Sequence, residues 1–244
     1  MKERGKQGER FINQKYQAVI FDLFGTLVDI FSRREYENIV AEMVSILKVP
    51  PDDFFKIWIQ SAEMRTTGVF RTLEESLEYI CRKLKIKADA SQIEAALRVR
   101  FDYVTRALTP RQDAIEVLTS LKSSGLKIGL ISNCSMEPPL IWPTTPFAPF
   151  FNIALFSSVV GINKPDRRIF QMAVARLMVE PSKCLYVGDG GDNELAAAAD
   201  VGMMPVLIRA SHEDVTDAIR PNDESKYFTG PKISSLKEVL NLVK

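Results

Sequence analysis

VIFDLFGTLVD, residues 19–29, joins an apolar run to an acid and a turn. Residues 19–21 are apolar on both alternating faces, which is typical of a strand covered on both sides in a parallel sheet. Asp22 follows the run directly, and Gly25 marks the turn behind it. Together with three later runs of the same texture, this stretch predicts a sheet of parallel strands at 17–22, 127–132, 184–189 and 204–209.

Helical segments separate the later strands. Residues 166–179 carry apolar side chains at helical spacing, and residues 192–203 are alanine-rich and contain Gly202, a suitable C-cap. Alternating strands and helices indicate a doubly wound α/β core, in which ligands collect at the carboxyl ends of the strands. Asp22, Ser132 and Asp189 each close a predicted strand, so we expect them to share one edge of the sheet.

The chain between the first two strands has a different character. Residues 31–108 are rich in helix formers with apolar residues three and four positions apart, and strand-like runs are missing. KVPPDD at 48–53 and KADAS at 87–91 divide this stretch into separate helices. We therefore expect a core formed by 1–30 and 109–244, with an all-helical segment inserted at 31–108.

Composition narrows the class of partner. The 244 residues contain 32 Lys plus Arg and 31 Asp plus Glu, so no global field draws the chain to nucleic acid or to an anionic membrane. No stretch approaches the roughly 20 apolar residues of a membrane span, and the charged start lacks the apolar core of a signal peptide. We expect a cytoplasmic monomer or homodimer that acts on a small molecule.

Cysteine and histidine usage limits the chemistry. Cys81, Cys134 and Cys184 lie far apart without CxxC spacing, which favours buried reduced thiols over disulfides or a zinc site. His212 is the single histidine and lies in RASHEDVTDAIR, a polar segment interpreted as a helix start with a solvated ring. Catalysis here would have to use carboxylates, lysine or a hard metal.

Four segments in order identify a resemblance. FDLFGTL (21–27), LISNCS (130–135), GINKPDRRIF (161–170) and VGDGGDNELAAAADVGM (187–203) resemble the four motifs of the haloacid dehalogenase superfamily of hydrolases, of the kind with a helical cap between the first and second motifs. The resemblance extends over nearly the whole chain after the first 14 or so residues. It implies a Rossmann-like core, a helical cap and an anionic small-molecule substrate.

The resemblance assigns catalytic roles residue by residue. Asp22 is implied to be the nucleophile of a covalent aspartyl intermediate, and Thr26 supports the turn and the transferred group. Ser132 is implied to bind a phosphoryl oxygen, and Lys164 to neutralise charge on the nucleophile and the substrate. Gly25 and Asn133 are assigned to substrate binding, and Asn133 could contribute through its backbone N–H. Read alone, each of these residues is also compatible with a strand end, a turn or a solvated surface lysine.

The fourth motif implies a metal site. Asp189 and Glu194 occupy the two positions at which phosphatases of this superfamily carry metal-binding acids. With Asp22 and the backbone carbonyl of Phe24 they form a hard oxygen site suited to Mg²⁺. Asp192 is an alternative second acid, but the spacing to the alanine-rich helix favours Glu194.

Phe24 complicates the implied function. Phosphatases of the superfamily carry an aspartate there that protonates the leaving group, whereas the dehalogenases carry an aromatic residue. The fourth motif points the other way, because dehalogenases typically have serine in place of Asp189 and asparagine in place of Gly191. Three hypotheses follow: a Mg²⁺-dependent phosphohydrolase with an aspartyl-phosphate intermediate, a 2-haloacid dehalogenase, and a degenerate member that binds without turnover.

Two further segments bear on the substrate. Arg65 and Arg71 stand on either side of Gly68 and could clamp an anion, or both could be solvated at helix ends. The stretch 134–151 has five prolines and several aromatic residues. It could form a wall beside the site, a dimer contact or a packed loop, and packing is the expected role.

Overall fold

A computed structural model describes residues 15–244, and six parallel strands form its central sheet. The spatial order is β3-β2-β1-β4-β5-β6. The four predicted strands are confirmed, while β3 and β6 were missed because β3 is half-exposed at its start and β6 has only two residues. The strands are β1 (Ala18–Phe21), β2 (Lys127–Ser132), β3 (Ile153–Phe156), β4 (Cys184–Gly188), β5 (Met204–Ile208) and β6 (Lys232–Ile233).

Between β1 and β2 the chain forms helices. Its helices begin at side-chain caps where the sequence supplies them: Ser32 accepts from the Glu35 N–H, and Asp89 forms a capping box with Gln92. These helices enclose a hydrophobic cluster of their own, centred on Met43, Trp58 and Ile80 among others. The helices are α1 (Arg33–Leu47), α2 (Pro51–Gln60), α3 (Ala62–Thr66), α4 (Leu73–Leu84) and α5 (Ala90–Ala107).

The remaining helices cover both faces of the sheet, which is the doubly wound arrangement expected. One hydrophobic cluster joins the sheet to the helix at 114–123, and a second joins it to the helices at 167–177 and 194–201. The helix after Lys164 is capped by Asp166, and Gly202 ends the alanine-rich helix. These helices are α6 (Ala114–Ser123), α7 (Glu137–Ile141), α8 (Ser157–Val160), α9 (Arg167–Leu177), α10 (Glu194–Val201) and α11 (Val239–Leu242).

The two chain segments that connect the sheet to the helices at 33–107 lie side by side. Val28 forms an isolated antiparallel bridge with Pro110. Arg111 holds the two segments together. Its backbone N–H donates to the Leu27 carbonyl at 2.9 Å, and its Nη1 donates to the Thr26 carbonyl at 3.1 Å. The chain therefore leaves the core and re-enters it through one small region behind the Asp22 turn.

Two smaller expectations had different outcomes. The stretch 134–151 packs as expected, with Trp142 and Phe147 buried and their ring centroids 4.9 Å apart. The helix expected to start near His212 was wrong: residues 210–221 form turns, because they lack the apolar stripe that would hold a helix on the core. The His212 ring is exposed as expected, with Nε2 3.0 Å from Asp29 Oδ1.

Cys81, Cys134 and Cys184 are free and buried. Burial raises the pKa of the Cys134 thiol to about 12, so thiolate chemistry is disfavoured there. In residues 15–244 none of the helices has the length and apolarity that crossing a membrane requires. The charged amino-terminal segment, on which the expected cytoplasmic location partly rests, lies outside the described residues.

Candidate active site

The carboxyl ends of three neighbouring strands bring the motif residues together. Asp22 follows β1, Ser132 ends β2 and Asp189 follows β4, and β1 lies between the other two strands. The backbone N–H of Asp22 donates to the Val187 carbonyl at 2.9 Å, which fixes the turn beside β4. All three side chains are buried, and they lie together at this edge of the sheet.

Asp22 is held from two sides. Its Oδ1 accepts a hydrogen bond from Lys164 Nζ at 2.5 Å, and its Oδ2 accepts one from Thr26 Oγ1 at 3.1 Å. Burial raises the pKa of Asp22 against the opposing pull of Lys164, and Asp189 adds to the rise. The carboxylate is thus oriented and poorly solvated, which suits a nucleophile.

Lys164 bridges Asp22 to Glu194. Its Nζ lies 2.6 Å from Glu194 Oε2, and the same oxygen accepts a 2.6 Å hydrogen bond from the Tyr186 hydroxyl. Burial raises the pKa of Glu194 to about 8, opposed by Lys164 and reinforced by the neighbouring carboxylates. Burial alone would lower the pKa of Lys164, but Asp22 and Glu194 outweigh it and raise that pKa.

Sequence reasoning missed Tyr186. It lies within β4, where it reads as one more apolar strand residue, yet its hydroxyl joins the buried charge network. The available signal was general: a buried tyrosine usually finds a hydrogen-bond partner for its hydroxyl. Nothing in the one-dimensional pattern indicates that Glu194 is that partner.

The Asp22 turn packs directly on Asp189. Gly25 has a φ of +80°, and a Cβ atom built on it would lie 2.3 Å from Asp189 Oδ2. Only glycine meets both conditions, because it tolerates the left-handed backbone and leaves room for the carboxylate. Gly25 therefore positions Asp189, a role additional to the substrate binding assigned from the sequence.

Asp189 has an arginine partner that the sequence analysis did not find. Arg220, from the loop between β5 and β6, donates from Nε to Asp189 Oδ2 at 2.7 Å, and from Nη2 to Glu213 Oε1 at 2.8 Å. Arg209 Nη1 lies 4.0 Å from the same Asp189 oxygen and donates to the Asp189 backbone carbonyl. The Gly191 N–H donates to Asp189 Oδ1 at 2.9 Å.

The carboxylates fit a hard divalent cation. Asp22, Asp189 and Glu194 each offer an oxygen, and these oxygens lie within 4.8 Å of one another. Such a donor set suits Mg²⁺ in chemistry and spacing. Asp192, the alternative second acid, is outside this group: its Oδ2 accepts from Asn133 Nδ2 at 2.8 Å.

Asn133 supports Lys164 through its side chain. Its Oδ1 accepts from the Lys164 backbone N–H at 2.8 Å, and its Nδ2 donates to the Lys164 carbonyl at 3.0 Å. Ser132 behaves differently: its Oγ is buried and makes no hydrogen bond within residues 15–244. A buried hydroxyl without a partner is energetically costly. The Ser132 hydroxyl is therefore available to donate a hydrogen bond to a ligand oxygen.

A cavity of about 480 Å³ opens in front of these groups. Asp22, Lys164 and Asp189 lie on its sheet side, and residues of α1, α2, α3 and α5 form the opposite wall. The Phe24 side chain also lines it and packs on Phe31, with ring centroids 4.3 Å apart. The cavity is therefore bounded both by the sheet edge and by the helices at 33–107.

The structure separates the two arginines proposed to clamp an anion. Arg65 lines the cavity, stacks 3.8 Å from the centre of the Trp58 ring and donates to Ser61 Oγ at 2.9 Å. Burial lowers the pKa of Arg65 to about 10. Arg71 is exposed and lies outside the residues that line the cavity, since its backbone N–H is turned to Glu75 at the start of α4.

Arg100 is a second buried cation that sequence reasoning missed. Its Nε lies 3.0 Å from Glu137 Oε1, and both side chains are buried. Its Nη1 is buried without a hydrogen-bond partner among the described residues, and the side chain lines the cavity. The signal was an arginine on the apolar face of α5, in register with Ile93 and Tyr103.

Comparison with known proteins gives a family match. The sequence model of the haloacid dehalogenase-like hydrolases matches residues 16–202. Among curated proteins, a glyceraldehyde 3-phosphate phosphatase of Methanocaldococcus jannaschii is 30% identical over 141 residues, which cover 56% of this chain and 58% of that protein. An (S)-2-haloacid dehalogenase of Pseudomonas putida is 26% identical over 194 residues, covering 75% of this chain and 80% of the dehalogenase.

Solved structures agree on the fold. A 2-haloacid dehalogenase from Pseudomonas syringae pv. tomato superposes with a TM-score of 0.69 at 19% identity, covering 93% of this chain and 97% of that one. A phosphatase from Thermococcus onnurineus superposes with a TM-score of 0.62 at 18% identity and the same coverage. Both activities named among these proteins occur on this architecture.

Proposed function

The chain belongs to the haloacid dehalogenase-like hydrolases, and we propose that within this family it is a Mg²⁺-dependent phosphohydrolase acting on a small phosphate ester. The observation that carries the proposal is Asp189, an acid retained beside the cavity with an oxygen within 4.8 Å of ligand oxygens of Asp22 and Glu194. A third carboxylate beside a nucleophile and an anionic substrate is unfavourable unless cations compensate it.

The proposed reaction has two displacements. An Asp22 carboxylate oxygen attacks phosphorus, the ester P–O bond breaks, and the leaving oxygen takes a proton from solvent. Water then attacks the phosphorus of the aspartyl phosphate, the P–O bond to Asp22 breaks, and the water proton passes to solvent as inorganic phosphate is released. Lys164 keeps Asp22 oriented, while Ser132 offers its free hydroxyl to an oxygen of the transferred group.

The metal site would be formed by Asp22, Asp189, Glu194 and the backbone carbonyl of Phe24. When bound, Mg²⁺ supplies positive charge that offsets the charge of the phosphoryl oxygens. The residues that would contact a substrate beyond the phosphoryl group are those of the helical wall. Arg65 and Arg100 line that wall and support an anionic or strongly polar substrate.

Phe24 restricts this chemistry. A phenyl ring cannot protonate a leaving group, and a general acid typically contributes about 10²- to 10⁴-fold to the rate. The enzyme is therefore expected to prefer esters whose leaving groups need little protonation. The rate on unactivated alkyl phosphates would be low unless the substrate or the helical wall supplies the proton.

A second candidate function, 2-haloacid dehalogenation, is favoured by Phe24 itself. The ring lines the cavity at the position that is aromatic in dehalogenases. In that reaction Asp22 attacks the carbon that bears the halogen, the carbon–halogen bond breaks, halide leaves, and water hydrolyses the ester intermediate. Lys164 and Arg220 already place two positive charges beside the acids, so the carboxylate cluster is compatible with this reaction too.

One assay separates these functions. Purified protein is incubated with phosphate monoesters, including an activated aryl phosphate, with Mg²⁺ or with chelator, and Asp22→Asn is the blank. Phosphate release that requires both Mg²⁺ and Asp22 is the expected result. No release from the activated ester would contradict the proposal. Halide release from 2-chloropropionate would then select dehalogenation, and its absence would leave a binding protein without turnover.

A further inference from the structure

Asp189 shares a buried ion pair with Arg220 at the place where the metal is proposed to bind. The guanidinium Nε lies 2.7 Å from Asp189 Oδ2, and the side chains are 5% and 6% exposed. A charge-assisted hydrogen bond of this length is among the strong ones, and low solvent exposure reduces its screening. The Arg220 guanidinium contacts Oδ2, the Asp189 oxygen that faces the Gly25 turn.

Protein cations already contact the acids of the site, namely Asp22, Asp189 and Glu194. Lys164 and Arg220 contribute two positive charges in direct contact, and Arg209 lies 4.0 Å from Asp189 Oδ2. A divalent cation that enters this site meets an Asp189 carboxylate already paired with Arg220, and the guanidinium repels it at short range.

Arg220 is fixed by the loop that carries it. The neighbouring Ile219 N–H donates to the Phe31 carbonyl at 2.9 Å, and the Arg33 N–H donates to the Asp217 carbonyl at 2.6 Å. These bonds join the loop to the chain that leads from the sheet into α1. Arg220 is also among the residues that line the cavity, so the ion pair lies beside the space that a ligand would occupy.

We propose that Arg220 competes with the divalent cation for Asp189 and thereby sets the metal affinity of the site. The proposal rests on the proposed function for the presence of a metal, and it adds the residue that controls how tightly the metal is held. The ion pair satisfies Asp189 before the metal arrives, and metal binding must displace or weaken it. Removing the guanidinium is then expected to tighten metal binding.

The test measures metal binding without turnover. Mn²⁺ is titrated into the full chain, and the free ion is counted by its electron paramagnetic resonance signal. Mg²⁺ added at the end reports competition for the same site. The variant is Arg220→Gln, which keeps an amide donor and removes the charge. Arg209→Gln is the control for losing a nearby positive charge, because Arg209 donates to the Asp189 backbone carbonyl and lies farther from the carboxylate, at 4.0 Å from Oδ2.

Arg220→Gln is expected to lower the Mn²⁺ dissociation constant about tenfold or more, equivalent to about 1.4 kcal/mol. Arg209→Gln is expected to lower it less. An unchanged or raised constant in Arg220→Gln, with wild-type protein binding Mn²⁺, would overturn this inference alone. Absence of binding in both proteins would overturn the inference and also the metal-dependent function. Binding only in the variant would support the inference.

If Arg220→Gln does not fold, a second variant tests whether the charge on Arg220 weakens Mn²⁺ binding. Glu213 Oε1 accepts from Arg220 Nη2 at 2.8 Å and offsets part of its charge. Glu213→Gln keeps the shape and the acceptor but removes that negative charge. The Mn²⁺ dissociation constant is expected to rise a few-fold, and tighter binding in this variant would contradict the competition.

Discussion

Replacing Gly25 with alanine is expected to push Asp189 out of place. The new Cβ would lie 2.3 Å from Asp189 Oδ2, whereas ordinary van der Waals contact begins at 3.4 Å. The carboxylate must therefore retreat by about 1 Å, because dispersion contacts turn repulsive below that separation. Its hydrogen bonds to Arg220 and to the Gly191 N–H, at 2.7 and 2.9 Å, cannot both survive such a shift.

Two costs add in this variant. A non-glycine residue in the left-handed region costs about 1–2 kcal/mol, and losing a hydrogen bond to a charged group costs about 1.5–3 kcal/mol. Gly161→Ala is the matched control. Gly161 has a similar φ of +74°, but among the described residues the nearest atom to its added Cβ is the Thr67 carbonyl oxygen at 3.8 Å. Only the first cost applies there.

The measurements are the free energy of unfolding in urea and the rate of phosphate release. Gly25→Ala is expected to lose about 1.5–3 kcal/mol more than Gly161→Ala. Its rate is expected to fall about 100-fold, since a displacement of about 1 Å near reacting groups can have that effect. Equal stability losses and equal rates in the two variants would refute the reasoning, because Asp189 would then not depend on the Gly25 turn.

Three further substitutions test individual side chains. Phe24→Asp restores a carboxyl at the position of the general acid and is expected to raise kcat on alkyl phosphates by about 10²-fold, while the activated aryl ester gains little; equal gains on both esters would contradict this role. Ser132→Ala removes a buried hydroxyl that lacks a partner in residues 15–244. The free energy of unfolding is therefore expected to change by under about 1 kcal/mol, while the rate of phosphate release falls. A large stability loss would show that the hydroxyl has a structural partner. Arg65→Gln is expected to raise KM for an anionic ester about tenfold, because Arg65 is buried beside the cavity. Arg71→Gln, at an exposed position, is the control and is expected to leave KM unchanged. Equal KM values in the two variants would show that Arg65 does not contact the substrate.

The sequence predicted those parts of the site that follow strand ends. Asp22, Ser132 and Asp189 could be placed together because parallel strands align their carboxyl ends and each strand had a continuous apolar pattern. Arg220 could not be placed, because its loop has no periodicity and reaches Asp189 across 31 residues of chain. The Arg100–Glu137 pair likewise joins α5 to a proline-rich stretch through side chains alone.

Phe24 shows the limit of motif spacing. The sequence indicated that an acid was missing, and the structure adds that the ring packs on Phe31 and contributes to the cavity wall. The effect of Phe24 on water and substrate depends on its packing against Phe31, and the spacing of sequence motifs carries no information about that packing. The strands β3 and β6 were missed for a different reason, since short or half-exposed strands carry little periodic signal.

The paired crossings at Val28 and Pro110 make the helices at 33–107 exchangeable as a unit. Because the chain leaves and re-enters the sheet at one place, a replacement segment must meet these two adjacent ends and must also replace the contacts of Arg33 with Asp217 and of Arg100 with Glu137. Asp22, Lys164 and Asp189 belong to the sheet side and would stay in register. The inserted helices can thus diverge in evolution, or be transplanted by design, while these sheet-edge residues are kept.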